Sequence, residues 1–166
     1  MLFRSLLADA GVTTPLEVSL KLPPPGYARQ GGEVIAAELA KIGIIAKIEN
    51  VEWAQWLSSV FTGPHNFDLT IVLHAEPLDL ARFTEENYYF GYKSEAFNAL
   101  YKKVTEATNE ADRAKLLGEA QRMLATDAAA GFLYQPQYVS IANKKLKGMW
   151  AQVPQFENDF SEWAWE

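Results

Sequence analysis

Apolar and polar positions alternate strictly from Leu16 to Leu22: Leu16, Val18, Leu20 and Leu22 fall on one face, Glu17, Ser19 and Lys21 on the other. A period of two predicts a β-strand. Pro23-Pro24-Pro25-Gly26 ends it, because such a run has no place inside a helix. Tyr27, Gly31, Val34, Ile35, Leu39 and Ile42 then recur at helical spacing, and Gly43 closes the helix. Ile44 to Glu49 reads as a second strand and Trp53 to Phe61 as a short helix closed by Gly63-Pro64. Phe67 to Leu73, apolar except for Asp68 and Thr70, reads as a third strand. Strand, helix, strand, helix, strand predicts parallel βαβ units with right-handed crossovers and helices covering the sheet.

Outside this block the pattern predicts more helix. Leu6 to Ala10 reads as a helix capped by Gly11. Met1 to Ser5 fits it poorly and is expected to be a non-native scar, with native sequence beginning at residue 6. A loop from Ala75 to Lys93 leads to two helices. Ser94 caps the first, with a buried face of Phe97, Leu100, Tyr101 and Val104. Asn109 caps the second, with a face of Leu116, Leu117, Ala120, Met123 and Leu124. Gly131 to Tyr134 and Tyr138 to Ala142 read as short strands broken by Pro136. From Gly148 the periodicity stops, and an acidic tail carries Trp150, Phe156, Phe160, Trp163 and Trp165.

Composition narrows the function classes. The chain has 166 residues, 49% of them hydrophobic, enough for one ordinary domain with a core. A net charge of -6 argues against a nucleic-acid partner, which needs a basic stripe. The absence of Cys excludes disulfide scaffolds, thiolate zinc sites and a Cys nucleophile. No apolar run approaches a membrane span, and the short Leu2 to Leu7 run is broken by Arg4 and Ser5, unlike a signal peptide.

No phosphate loop, dinucleotide fingerprint, nucleophile elbow or metalloprotease helix is present, so no cofactor is expected. His65 lies in the turn Gly63-Pro64-His65-Asn66 and is expected to be exposed. His74 follows the third strand, with Glu76 and Asp79 close behind. In open α/β sheets ligands bind beyond the carboxyl ends of strands, which makes His74, Glu76 and Asp79 a candidate polar grip on a ligand. A loop held by its own side-chain-to-backbone bonds is the competing explanation. Tyr88-Tyr89-Phe90-Gly91-Tyr92 is the densest aromatic run. Tyr88, Tyr89 and Tyr92 either line a pocket or pack a core beneath the long loop.

These pieces together resemble a known family. Leu6-Leu7-Ala8-Asp9-Ala10-Gly11 is similar to the helix preceding the second lobe in peptide/nickel-type (family 5) solute-binding proteins of ABC transporters. Gly32 to Ile44 is similar to that family's helix-strand joint, and Phe67 to Leu73 to its core strand. Phe97-Asn98-Ala99-Leu100 and Ala120-Gln121-Arg122-Met123-Leu124 resemble its paired helices, and Lys145 to Trp150 a segment near its C-terminus. Many members carry a Trp and then an Asp after the core strand, the Asp meeting a peptide's amino terminus. His74 and Glu76 occupy the matching places here.

The resemblance implies a periplasmic-binding-protein-like lobe, truncated at its N-terminal side. Residues 6–136 would form the second lobe, and residues 137–166 a hinge return to a missing first lobe. It implies a binder of peptides or similar small solutes that meets ABC permease subunits, is monomeric when full length, and is periplasmic or lipid-anchored. The alternative is a small α/β hydrolase-like enzyme using His74 and Glu76 as an acid-base pair.

Overall fold

The computed structural model describes residues 2–76, 79–136, 139–150 and 159–166. The chain forms two compact units: Met1–His74 with Glu86–Gly91, and Ala75–Glu85 with Tyr92–Glu166. Among the described residues no helix is long and apolar enough to cross a membrane.

The first unit is built on a three-stranded sheet. β1 (Leu16–Leu22), β2 (Ile44–Asn50) and β3 (Leu69–Thr70) lie in the order β2-β1-β3, all parallel. The expected parallel α/β sheet is therefore present. α2 (Gly26–Ala40) connects β1 to β2, as the helical period predicts. Its buried stripe differs from the expected one. Ala28 and Gly32 are buried, while Val34 is 62% exposed. The reason is close approach: a Cβ on Gly32 would stand 2.2 Å from Leu22 Cδ1, so the face of smallest residues turns inward and Val34 rotates out.

The third strand is much shorter than its apolar run. The β1–β2 ladder runs unbroken from Leu16↔Ile44 to Leu22↔Asn50, but β3 pairs only Leu69 with Leu20 and Thr70 with Lys21. Before Leu69, the Asp68 carboxylate accepts the Ser19 N–H at 2.7 Å and the Ser19 hydroxyl at 2.9 Å, taking a donor that a ladder would need. After Thr70, the same register sets Pro23 to Pro25 against the departing chain, and proline carries no N–H.

Two other local expectations change. The helix at Trp53 is a single α turn, α3 (Trp53–Trp56), that widens into a π turn over Leu57–Phe61, where Thr62 N–H reaches the Leu57 carbonyl at 2.8 Å. α1 (Leu2–Asp9) starts within the first five residues, and the Arg4 guanidinium donates twice to the Lys41 carbonyl, at 2.6 and 3.1 Å. Gly11 ends that helix with φ +71°, as a left-handed cap requires.

In the second unit, the loop after residue 75 contains a 3₁₀ turn over Asp79–Thr84. The paired helices appear as expected: α4 (Glu95–Glu106), with Ser94 Oγ accepting from Phe97 N–H, and α5 (Glu110–Thr126), with the Asn109 side chain accepting from Asp112 N–H. Phe97, Val104, Ala120 and Leu124 are buried between them, with Phe83 set edge-on against Phe97. The two short strands expected after Gly131 do not form among the described residues, and Phe132, Val139 and Ile141 are exposed. Apolar alternation alone makes no strand without a partner. Gln137 and Tyr138 lie outside the described residues. β4 (Leu146–Lys147) pairs antiparallel with β5 (Ala164–Trp165), so part of the tail is ordered pairing that the sequence pattern did not signal. Trp150, Phe160 and Trp165 are exposed; Phe156 lies outside the described residues.

Candidate functional site

β3 carries its chain out of the sheet through Ile71, Val72 and Leu73 to His74, so His74 stands beyond the carboxyl end of the sheet, as expected. Between β1 and β3 the strand order reverses direction, which is where open α/β sheets form a ligand crevice. The half-buried His74 ring stacks on Tyr89, with centroids 5.9 Å apart and planes 20° apart, and its Nε2 lies 2.6 Å from the Tyr89 hydroxyl. Tyr88 and Phe90 surround it at 6.2 Å each. The structure thus brings His74, Tyr88 and Tyr89 together.

The aromatic run behind His74 is also core. Tyr89 is 7% exposed and packs with Val51, Trp56 and Val60, with Phe61, Phe67, Val72, Tyr88 and Phe90 around them. The π turn makes this packing possible. Trp56 and Phe61 are five residues apart, a spacing that an α-helix splays but a turn closed over five residues aligns, and they stack at 5.9 Å with planes 24° apart. The two explanations offered for the run therefore combine: Tyr89 is a core residue whose hydroxyl end meets His74.

Glu76, Asp79 and Tyr92 belong to the second unit. The exposed Glu76 carboxylate accepts the Ala75 N–H at 3.2 Å, and Asp79 opens the 3₁₀ turn. Tyr92 packs edge-on against Phe83 and Phe97 and donates its hydroxyl to Asp127 at 2.6 Å. Burial, and then the Asp127 carboxylate that would face a phenolate, push the Tyr92 phenol above its ordinary value. An imidazole and two carboxylates at 74, 76 and 79 are donor types that divalent metals accept; His74 belongs to the first unit and Glu76 and Asp79 to the second. His65 is exposed, as expected, though its Nδ1 lies 2.7 Å from the Val60 carbonyl.

Three residues near the sheet's carboxyl edge escaped the sequence reading. Tyr27, read as one apolar position of α2, accepts the Leu73 N–H on its phenol oxygen at 3.1 Å. Thr70 donates its hydroxyl to the Lys21 carbonyl at 2.7 Å and accepts from Trp56 Nε1–H at 3.0 Å. The buried Lys21 ammonium donates to the Asn66 carbonyl at 2.7 Å, with Glu49 at 3.6 Å. The available signal was placement: Tyr27 follows the proline run at the carboxyl end of β1, where helix starts face the crevice.

No protein-family model matches the chain, and no curated protein matches it. Solved structures do. The ABC transporter-associated periplasmic binding protein DppA from Helicobacter pylori, in complex with the peptide STSA, is 25% identical with a TM-score of 0.62, over 76% of this chain and 27% of its own. The oligopeptide-binding protein AppA from Bacillus subtilis, in complex with a nonapeptide, is 20% identical with a TM-score of 0.76, over 98% of this chain and 36% of its own. NikA from Staphylococcus aureus, in complex with Ni(L-His)2, is 14% identical with a TM-score of 0.68, over 92% and 35%. Sequence resemblance and structural likeness coincide: the chain carries the fold of the peptide/nickel-type solute-binding proteins of ABC transporters and spans 27% to 36% of the length of these three.

Proposed function

We propose that the chain supplies part of the ligand cleft of a solute-binding protein that delivers peptides or similar small solutes to ABC permease subunits. In this reading residues 6–136 are the second lobe and residues 137–166 lead back toward a first lobe. Function is closure over a ligand, with no bond made or broken. The observation that carries it is His74, held on an aromatic platform beyond the carboxyl end of a β2-β1-β3 parallel sheet. Three solved structures with this fold hold a tetrapeptide, a nonapeptide and a nickel–histidine complex, which supports a ligand carrying amine and carboxylate groups. His74, Tyr88 and Tyr89 are the candidate ligand contacts of the first unit; Glu76, Asp79 and Tyr92 are those proposed on the second, Glu76 as the partner of a ligand amino group. The protein works outside the cytoplasmic membrane, in the periplasm or on a lipid anchor, and is monomeric at full length.

The test is calorimetric titration of the protein with Ser-Thr-Ser-Ala, followed by chromatography of the peptide. Saturable binding with the peptide recovered intact is the expected result; cleavage, or no binding of any short peptide, overturns it. Glu76→Gln should weaken binding by about 1.5–3 kcal/mol, the worth of a hydrogen bond to a charged group. Unchanged affinity with the fold intact removes Glu76 from the site.

A further inference from the structure

We propose that Tyr27 is a positioning residue of this site: its phenol fixes the main chain at Leu73 and thereby sets where the His74 imidazole stands. The proposal rests on reading His74 as a ligand contact. Past Thr70 the main-chain ladder stops, because β1 has passed into Pro23, Pro24 and Pro25. Val72 and Leu73 therefore run past the end of the ladder, and main-chain donors there need other acceptors. Tyr27 provides one, 3.1 Å from the Leu73 nitrogen.

The tether is stiff at both ends. Tyr27 lies in the first turn of α2, where Ala28 and Gly32 are buried, Gly32 against Leu22 of β1. The same helix also covers the chain beyond β3, since a Cβ on Gly31 would stand 3.7 Å from Ile71 Cδ1. A phenol has only two side-chain torsions, so its oxygen ranges less about the helix than a long flexible acceptor would. One residue later the His74 ring is held by a second phenol, Tyr89, which is itself buried. Tyr27 thus references the backbone of His74 to α2 and β1, while Tyr89 references its ring to the core. A longer or more flexible acceptor would satisfy Leu73 equally well but would not place His74.

Amide exchange and Overhauser contacts in the 166-residue chain test this, with Tyr27→Phe as the variant. In the unsubstituted chain the Leu73 amide should be protected although it has no strand partner. In Tyr27→Phe its exchange should rise about three- to tenfold, the effect of one lost hydrogen bond. The His74–Tyr89 Overhauser contacts should weaken while β1–β2 amides keep their rates. A merely structural tyrosine would lower the unfolding midpoint and leave the His74 contacts unchanged, and that result overturns the proposal. If Tyr27→Phe does not fold, the unsubstituted chain still decides: rapid exchange at Leu73 shows that the phenol holds nothing. Titration with Ser-Thr-Ser-Ala separates the two readings. If the unsubstituted chain binds the peptide, Tyr27→Phe should raise Kd about tenfold, and an unchanged Kd overturns the role at the site. If the unsubstituted chain binds no peptide, the functional reading fails, and the Leu73 and His74 signals alone decide whether Tyr27 positions His74.

Discussion

On one side of β1, seven residues of β2 pair in continuous parallel register; on the other, β3 pairs two. The first flank is held by main-chain bonds that almost any sequence could make. The second is held by side chains: Asp68 on Ser19, Thr70 between Lys21 and Trp56, and Tyr27 on Leu73. The difference teaches where this fold spends sequence identity. A ladder tolerates substitution because its bonds belong to the backbone, whereas each side-chain tie is lost with one residue. The flank that leads to His74 is the one assembled from named residues.

The two flanks share one buried layer, so the largest effect should come from there. Leu20 is buried beneath both, and Leu20→Ala should cost about 3 kcal/mol in urea denaturation, with amide exchange rising on both sides of β1. A loss confined to one flank would break the premise of a common core. Thr70→Val should be next, at about 1–3 kcal/mol, because it strands the Trp56 indole N–H. Here exchange should rise near β3 while the β1–β2 ladder keeps its rates; equal acceleration on both sides would erase the contrast.

Asp68 sharpens the comparison through pH. Its carboxyl lies below the ordinary 3.8 because the Ser19 N–H, and then the Ser19 hydroxyl, stabilise the charged form. A carboxyl lowered in the folded state contributes fully above its unfolded value and loses that contribution as pH falls through the folded one. Asp68→Asn should therefore be less stable than the natural chain near neutral pH, with the gap closing below about pH 4. A gap that persists in acid would show that shape, and not charge, makes the clasp. The smallest effect should be at the exposed Lys47–Glu17 pair on the β2 flank. Lys47→Ala should change stability by no more than about 0.2–1 kcal/mol, since exposed pairs contribute little. A larger loss would mean that the β2 flank also depends on its side chains.

Much of this was legible in the chain. The alternation in β1, the helical spacing of α2, and the caps Ser94 and Asn109 report local geometry, and local geometry is what periodicity encodes. The length of β3 was not legible from its own residues. Phe67 to Leu73 is apolar enough for a full strand, but its ladder is cut by Asp68 at one end and by the prolines of another segment at the other. Val34 fits the helical period yet faces outward, because the distance from α2 to Leu22, set by Gly32, decides which face is buried. The site was half visible for the same reason. His74 could be placed because it follows a strand. Tyr27 could be placed near the crevice by its position after the prolines, but not its role, which depends on an oxygen meeting an amide 46 residues away. The aromatic run gave no sign that Tyr89 would turn into the first unit's core while Tyr92 joined the second unit.

The π turn at Leu57–Phe61 makes this stretch sensitive to its length as well as to its buried residues. Five steps along an α-helix leave two side chains about 140° apart, and the wider turn removes that offset. Deleting one residue between Leu57 and Val60 would let the turn close as ordinary α-helix. Trp56 would then swing by about 100° relative to everything after it. Its indole would leave Phe61, Tyr89 and the Thr70 hydroxyl together, although each of those residues would still be present. Point replacements at the exposed Ser58 keep the count and so keep the angle. Among descendants of this sequence, the exposed Leu57 and Ser58 should change letter readily, the buried Val60 and the stacked Phe61 should not, and insertions or deletions should be rare throughout.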